Sequence, residues 1–130
     1  MTTMMERTTQ LRFVEPLPGF ASEEEYLLAG IDPDGLLYSL RSVQDPSLRF
    51  VLTPAGAFFA DYRPDVDDSI GAVLGSDDVD LFLVLTLGTG LSDATANLRA
   101  PIAVAPSTGK AVQVILDDEG LPMREPLVRP

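Results

Sequence analysis

The chain has 130 residues, enough for one domain with a single core. It contains no cysteine and no histidine, which excludes disulfides, thiol chemistry, zinc sites and a Ser-His-Asp triad. Twenty acidic against nine basic side chains give a formal charge of −11, a surface that repels phosphate backbones and disfavours direct RNA or DNA binding.

Residues 1–9 carry no periodic pattern and read as a flexible tail ahead of a single domain over residues 10–127. The first ten residues lack the apolar stretch of a signal peptide. The longest apolar run, residues 81–87, is too short to span a bilayer, so a soluble cytoplasmic protein is expected.

Residues 10–14 read as a first strand, ended by Glu15-Pro16-Leu17-Pro18-Gly19-Phe20. Ser22-Glu23-Glu24-Glu25 has the spacing of a capping box and supports one helical turn. Asp32-Pro33-Asp34-Gly35 is a turn between strands at residues 26–31 and 36–40. Another strand is expected at 49–52, and Phe58 and Phe59 fall in a short extended piece. Between Pro64 and Gly75 the apolar period changes: Val66, Ile70, Val73 and Leu74 recur at helical spacing, with Asp67 and Asp68 near the favourable N-terminus.

Residues 81–87 are apolar at almost every position, as in a strand buried on both faces. Gly88-Thr89-Gly90 ends it; without a following helix and Lys-Ser/Thr it is a turn and no phosphate loop. A hairpin follows, with Ile102 and Val104 opposed to Ala103 and Ala105, a turn at Pro106-Ser107-Thr108-Gly109, and alternation again from Val112. The proline-rich end leaves room for at most a short edge strand. The sum is seven to nine short strands with one or two short helices, a mainly β small antiparallel barrel or sandwich.

Asp77, Asp78 and Asp80 cluster carboxylates of the kind that hard cations want, yet no glycine-spaced loop or bidentate glutamate follows; a solvated strand boundary explains them better. Asp117, Asp118 and Glu119 are neighbours whose side chains diverge on a strand, which makes them poor catalytic partners. With no nucleophile motif, an enzyme is not expected, and no metal or cofactor is implied. Asn97 and Arg99 allow two readings. Either they form a recognition pair, or the arginine fixes a loop by pairing with an acid while the amide bonds to local backbone; the architectural reading is favoured. Phe58 and Phe59 are candidate partner anchors, because adjacent strand residues cannot both face one core.

Thr95-Ala96-Asn97-Leu98-Arg99-Ala100-Pro101-Ile102 and Gln113-Val114-Ile115-Leu116 closely resemble the FliW family of flagellar assembly factors. Leu17-Pro18-Gly19-Phe20, Ser42-Val43-Gln44-Asp45-Pro46-Ser47-Leu48-Arg49-Phe50, Asp61-Tyr62 and Pro122-Met123-Arg124-Glu125-Pro126-Leu127 are similar to further blocks of that family. Departures are Pro16 for the usual glycine, Ala60 for a proline and Leu121 for an aromatic. The resemblance implies a small β-barrel-like domain without catalysis. It implies binding to the translational regulator CsrA, a basic RNA-binding dimer, away from its RNA face, which relieves repression of flagellin translation. It also implies flagellin as the alternate partner. Asp77, Asp78, Asp80, Asp117, Asp118 and Glu119 then become candidates for the anionic surface facing CsrA. Phe58 and Phe59 become candidates for a groove that takes an amphipathic flagellin helix. Other readings are an acidic β-barrel adaptor with a different client, and a divalent-metal-dependent hydrolase built on Asp77, Asp78 and Asp80.

Overall fold

The computed structural model describes residues 8–17, 19–20, 24–62, 64, 66–89 and 91–127. β1 (Thr8–Phe13), β2 (Glu25–Gly30), β3 (Tyr38–Ser42) and β4 (Arg49–Pro54) form an antiparallel meander. Two short helices follow, α1 (Ala55–Phe58) and α2 (Ser69–Leu74), and then β5 (Asp80–Thr86). A 3-10 turn (Leu91–Asp93) leads into β6 (Thr95–Ala96), β7 (Ile102–Ala105), β8 (Lys110–Gln113) and β9 (Glu125–Pro126). The sheet order is β4-β3-β2-β1-β8-β7-β5-β6-β9, and β4 also pairs with β5, so seven strands close on themselves while β6 and β9 extend from the seam. This is the expected small barrel with two short helices.

Period-two patterning fills the barrel. Leu11 and Phe13, Tyr26 and Leu28, Leu40, Leu52, Phe82, Ile102 and Val104 meet in one core. Each fully buried side chain of this kind stabilises by roughly 1.5–3 kcal/mol relative to exposure. Edge-on aromatic pairs lock its layers, Phe13 with Tyr26 at 5.1 Å and Tyr38 with Phe82 at 5.3 Å between ring centres.

β5 is apolar from Leu81 to Leu85 because both its faces are covered. Phe82 and Val84 point into the barrel, while Leu83 and Leu85 join Ala94, Ala96, Leu98 and Leu127 in a second cluster against Phe58 and Phe59. Leu81 packs on a third cluster, where Leu74 of α2 sits on Ala103, Ala105 and Val112. The alanines of β7 let the helix approach closely. The Thr108 hydroxyl in the β7–β8 turn donates to the Leu74 carbonyl at 2.7 Å, pinning the helix end that Gly75 terminates at φ +76°.

The turn chemistry follows the sequence. Asp32 Oδ1 accepts the backbone N–H groups of Leu36 and Leu37, each at 2.8 Å, and Gly35 takes φ +73°. The hairpin 102–113 alternates as expected: Ile102 and Val104, opposite Gln113 and Ala111, join the barrel core, while Ala103, Ala105 and Val112 face α2. Closure is the surprise: β1 runs parallel to β8, Arg12 beside Lys110 and Phe13 beside Ala111.

Four expectations are corrected. Thr8 and Thr9 belong to β1, paired with Ala29 and Leu28, and residues 1–7 lie outside the described residues. Ser22 and Glu23 of the expected helical turn also lie outside them, while Glu25 opens β2. Phe58 ends α1 and Phe59 follows it, so neither is in an extended piece. A four-residue helix is too short to leave a periodic signal. The strand expected at 36–40 forms at Tyr38–Ser42, since Asp32 holds Leu36 and Leu37 in the turn.

Among the described residues, the Thr53 hydroxyl is a buried polar group without a partner. Thr53 of β4 is 0% exposed and its Oγ1 makes no hydrogen bond among the described residues. Replacing Thr53 with Val removes that hydroxyl at nearly constant shape, and should leave stability unchanged or raise it by up to ~1 kcal/mol. A lowered urea midpoint would show that the hydroxyl is satisfied in solution.

Candidate functional site

β6 and β7 both pair with β5, at opposite ends: Leu85 and Thr86 face β6, and Asp80 to Phe82 face β7. Residues 97–101 therefore leave the ladder between them. The carbonyls of residues 98–101 are nevertheless matched. Tyr62 Oη donates to Leu98 O at 2.6 Å, Leu116 N–H to Arg99 O at 2.9 Å, Gln113 Nε2 to Ala100 O at 3.1 Å and Val114 N–H to Pro101 O at 2.8 Å. Asn97 Oδ1 accepts the Arg99 N–H at 3.0 Å. The Arg99 guanidinium donates from Nε to Leu121 O at 3.1 Å and from Nη2 to Glu119 O at 2.9 Å. Asn97 thus bonds local backbone as the architectural reading expects, whereas Arg99 holds two carbonyls in place of the expected acid. A rigid donor fork suits that task.

Arg99 carries residues 119–121, and Tyr62 carries the segment between α1 and α2. Between these two segments lies an open groove of about 1010 Å³. Asp61, Asp67 and Asp68 stand on one wall and Asp117 and Asp118 on the other, with Tyr62, Val66, Ile115 and Leu121 supplying apolar surface. Ile115 is 63% exposed, the most exposed large apolar side chain among the described residues. None of the five aspartates forms an ion pair among the described residues. Asp67 accepts the Ser69 N–H at 2.8 Å, which holds its carboxyl below the ordinary carboxylate value, and Asp118 accepts the Gly120 N–H at 2.9 Å. A concave site lined by one sign of charge concentrates its field, so this groove attracts cations with apolar flanks.

The sequence candidates separate in space. Asp117 and Asp118 line the groove, whereas Asp77, Asp78 and Asp80 lie beyond the other end of α2 and line no part of it. Glu119 is exposed beside the groove and lends its carbonyl to Arg99. Phe58 and Phe59 are half-buried against the Leu83 and Leu85 cluster, so substituting them disturbs packing as well as surface. Among the described residues no three carboxylates converge as metal ligands. Sequence reasoning missed Asp61, Asp67, Asp68 and Ile115 as one site. The density of aspartate between residues 61 and 68 was the available signal.

Against known proteins, the model of the family described as FliW protein matches residues 2–127. The chain belongs to the FliW family. The flagellar assembly factor FliW of Bacillus licheniformis is 31% identical over 128 residues, covering 96% of this chain and 90% of that protein. That of Geobacillus thermodenitrificans is 37% identical over 109 residues, covering 82% of this chain and 75% of that one. A crystal structure of the flagellar assembly factor FliW superimposes with a TM-score of 0.83 at 31% identity, covering 94% of this chain and 87% of the other. The barrel and its covering helices thus share the fold of that FliW structure. No helix among the described residues is long and apolar enough to cross a membrane.

Burial pushes the Tyr62 hydroxyl up to about 12 from its ordinary 10.0. The folded chain keeps the phenolic proton where the unfolded chain has lost it. That contribution to stability is intact below pH 10.0 and is lost as pH rises through about 12. Tyr62→Phe strips the Leu98 carbonyl of its donor and should cost ~1 kcal/mol at neutral pH. It should also flatten the fall in urea midpoint across that alkaline window. An alkaline fall of unchanged size in the variant would assign the titration to another group.

Proposed function

We propose that this FliW-family chain works without catalysis, in the cytoplasm, as a protein-binding regulator of flagellin production. Its principal partner is CsrA, a basic RNA-binding dimer, held away from the RNA face so that repression of flagellin translation is relieved; flagellin is the alternate partner. The observation that carries this reading is the groove of five aspartates, without an ion-pair partner among the described residues, around an exposed Ile115. Such a surface suits a cationic segment with an apolar residue, the composition expected where a basic protein presents a contact edge. A net charge of −11 steers the encounter and then lies close to the repressor's RNA groove, weakening phosphate binding through its field.

The test compares two neutralised variants against the cognate CsrA by calorimetry at several salt concentrations. Asp61→Asn, Asp67→Asn, Asp68→Asn, Asp117→Asn and Asp118→Asn combined should weaken binding by at least about fivefold and flatten its salt dependence, since each exposed charge contributes ~0.2–1 kcal/mol. Asp77→Asn, Asp78→Asn and Asp80→Asn combined should leave the affinity within about twofold. The reverse pattern would move the docking surface to the far end of α2, and no binding by the unmodified chain would sink the reading.

A further inference from the structure

The barrel opens at the place where β6 and β7 part along β5. A cavity of about 160 Å³ lies there, walled by Leu17, Phe20, Phe50, Val84 and Ile102 and flanked by the carboxamides of Asn97 and Gln113. Among the described residues no ionisable side chain lines it, and it shares no lining residue with the acidic groove. Dry apolar cavities of roughly 150 Å³ accept a guest the size of benzene, so the space suits one medium-sized apolar side chain.

The two carboxamides are each half engaged. Asn97 Oδ1 accepts the Arg99 N–H, and Gln113 Nε2 donates to Ala100 O. Those bonds fix both amide orientations, because only the oxygen accepts and only the nitrogen donates. What remains includes the Asn97 Nδ2 group as donor and the Gln113 Oε1 as acceptor, neither with a partner among the described residues. A donor group and an acceptor beside an apolar cavity match the carbonyl, N–H and side chain of a single residue in a peptide.

We infer that the barrel mouth is a receptor for one uncharged apolar residue of an extended segment in a partner protein, with its side chain in the cavity, its carbonyl on Asn97 Nδ2 and its N–H on Gln113 Oε1. This site is chemically orthogonal to the groove. A partner that engages both presents a cationic stretch to one and a neutral, apolar residue to the other. The interaction does not depend on the identity of the groove's occupant.

The probe is N-acetyl-leucinamide, titrated into the ¹⁵N-labelled full chain and followed by NMR. Saturable shifts of the Asn97 and Gln113 side-chain amides in the millimolar range are expected, with N-acetylglycinamide at least about tenfold weaker because it buries no side chain. Val84→Phe, which fills the cavity, should abolish the response. Should that variant fail to fold, Val84→Leu narrows the same space and should weaken it several-fold. Asp117→Asn with Asp118→Asn should leave it unchanged, separating this site from the groove. The inference is overturned by an absence of saturable shifts at tens of millimolar, by an equal response to the glycine analogue, by a folded Val84 variant that binds as before, or by shifts confined to groove residues.

Discussion

Between β6 and β7 the backbone leaves the sheet for residues 97–101, in a part-buried setting where each unmatched carbonyl costs about 1–3 kcal/mol. The rest of the molecule is arranged around meeting that cost. One donor comes from the tyrosine ahead of α2, one from a β8 side chain and two from the backbone that continues past β8. Each donor drags its own segment into place. Tyr62 fixes one wall of the groove, Leu116 and the Arg99 fork fix the other, and Gln113 with Asn97 frames the barrel mouth. The blocks Asp61-Tyr62, Thr95 to Ile102 and Gln113 to Leu116 are therefore one hydrogen-bonded unit, which explains why residues so scattered act as a signature.

The groove is electrostatically unbalanced. Five carboxylates face one concavity without a cation among the described residues, and their mutual repulsion works against the compact state. The apolar clusters on both faces of β5 make that tolerable, since Tyr62 and Leu121 of the two walls pack on the cluster of Leu83 and Leu85. A cationic occupant would relieve the repulsion and cover Ile115 together, so electrostatic and hydrophobic gains arise at the same residues.

Much of the barrel was legible in the sequence because its signals are local. Alternation in 102–113 gave the hairpin faces, the unbroken apolar run gave a doubly covered β5, and Asp32-Pro33-Asp34-Gly35 gave the β2–β3 turn. Closure through parallel β1 and β8 had no local signal, since nothing in either strand names its partner. The helix α1 was hidden by its four-residue length, and with it the shared packing of Phe58 and Phe59. The groove was only half readable. Asp117 and Asp118 stood out as a run, but joining them to Asp61, Asp67 and Asp68 needs the fold. The mouth was invisible for a different reason: a cavity is defined by what is missing between residues that lie far apart in the chain.

The parallel seam also dictates an order of events during synthesis. The meander β1 to β4 is complete once about the first half of the chain has emerged, yet the exposed edge of β1 must wait for β8. Pairings this distant in sequence form late and slowly. The nascent chain consequently spends time with an uncapped strand edge and an unfilled interior, a window in which pairing with other nascent chains competes with self-closure. Leu17, Phe20 and Phe50 acquire their facing wall only when Asn97, Ile102 and Gln113 arrive, so a working mouth certifies that translation has passed the final barrel strand.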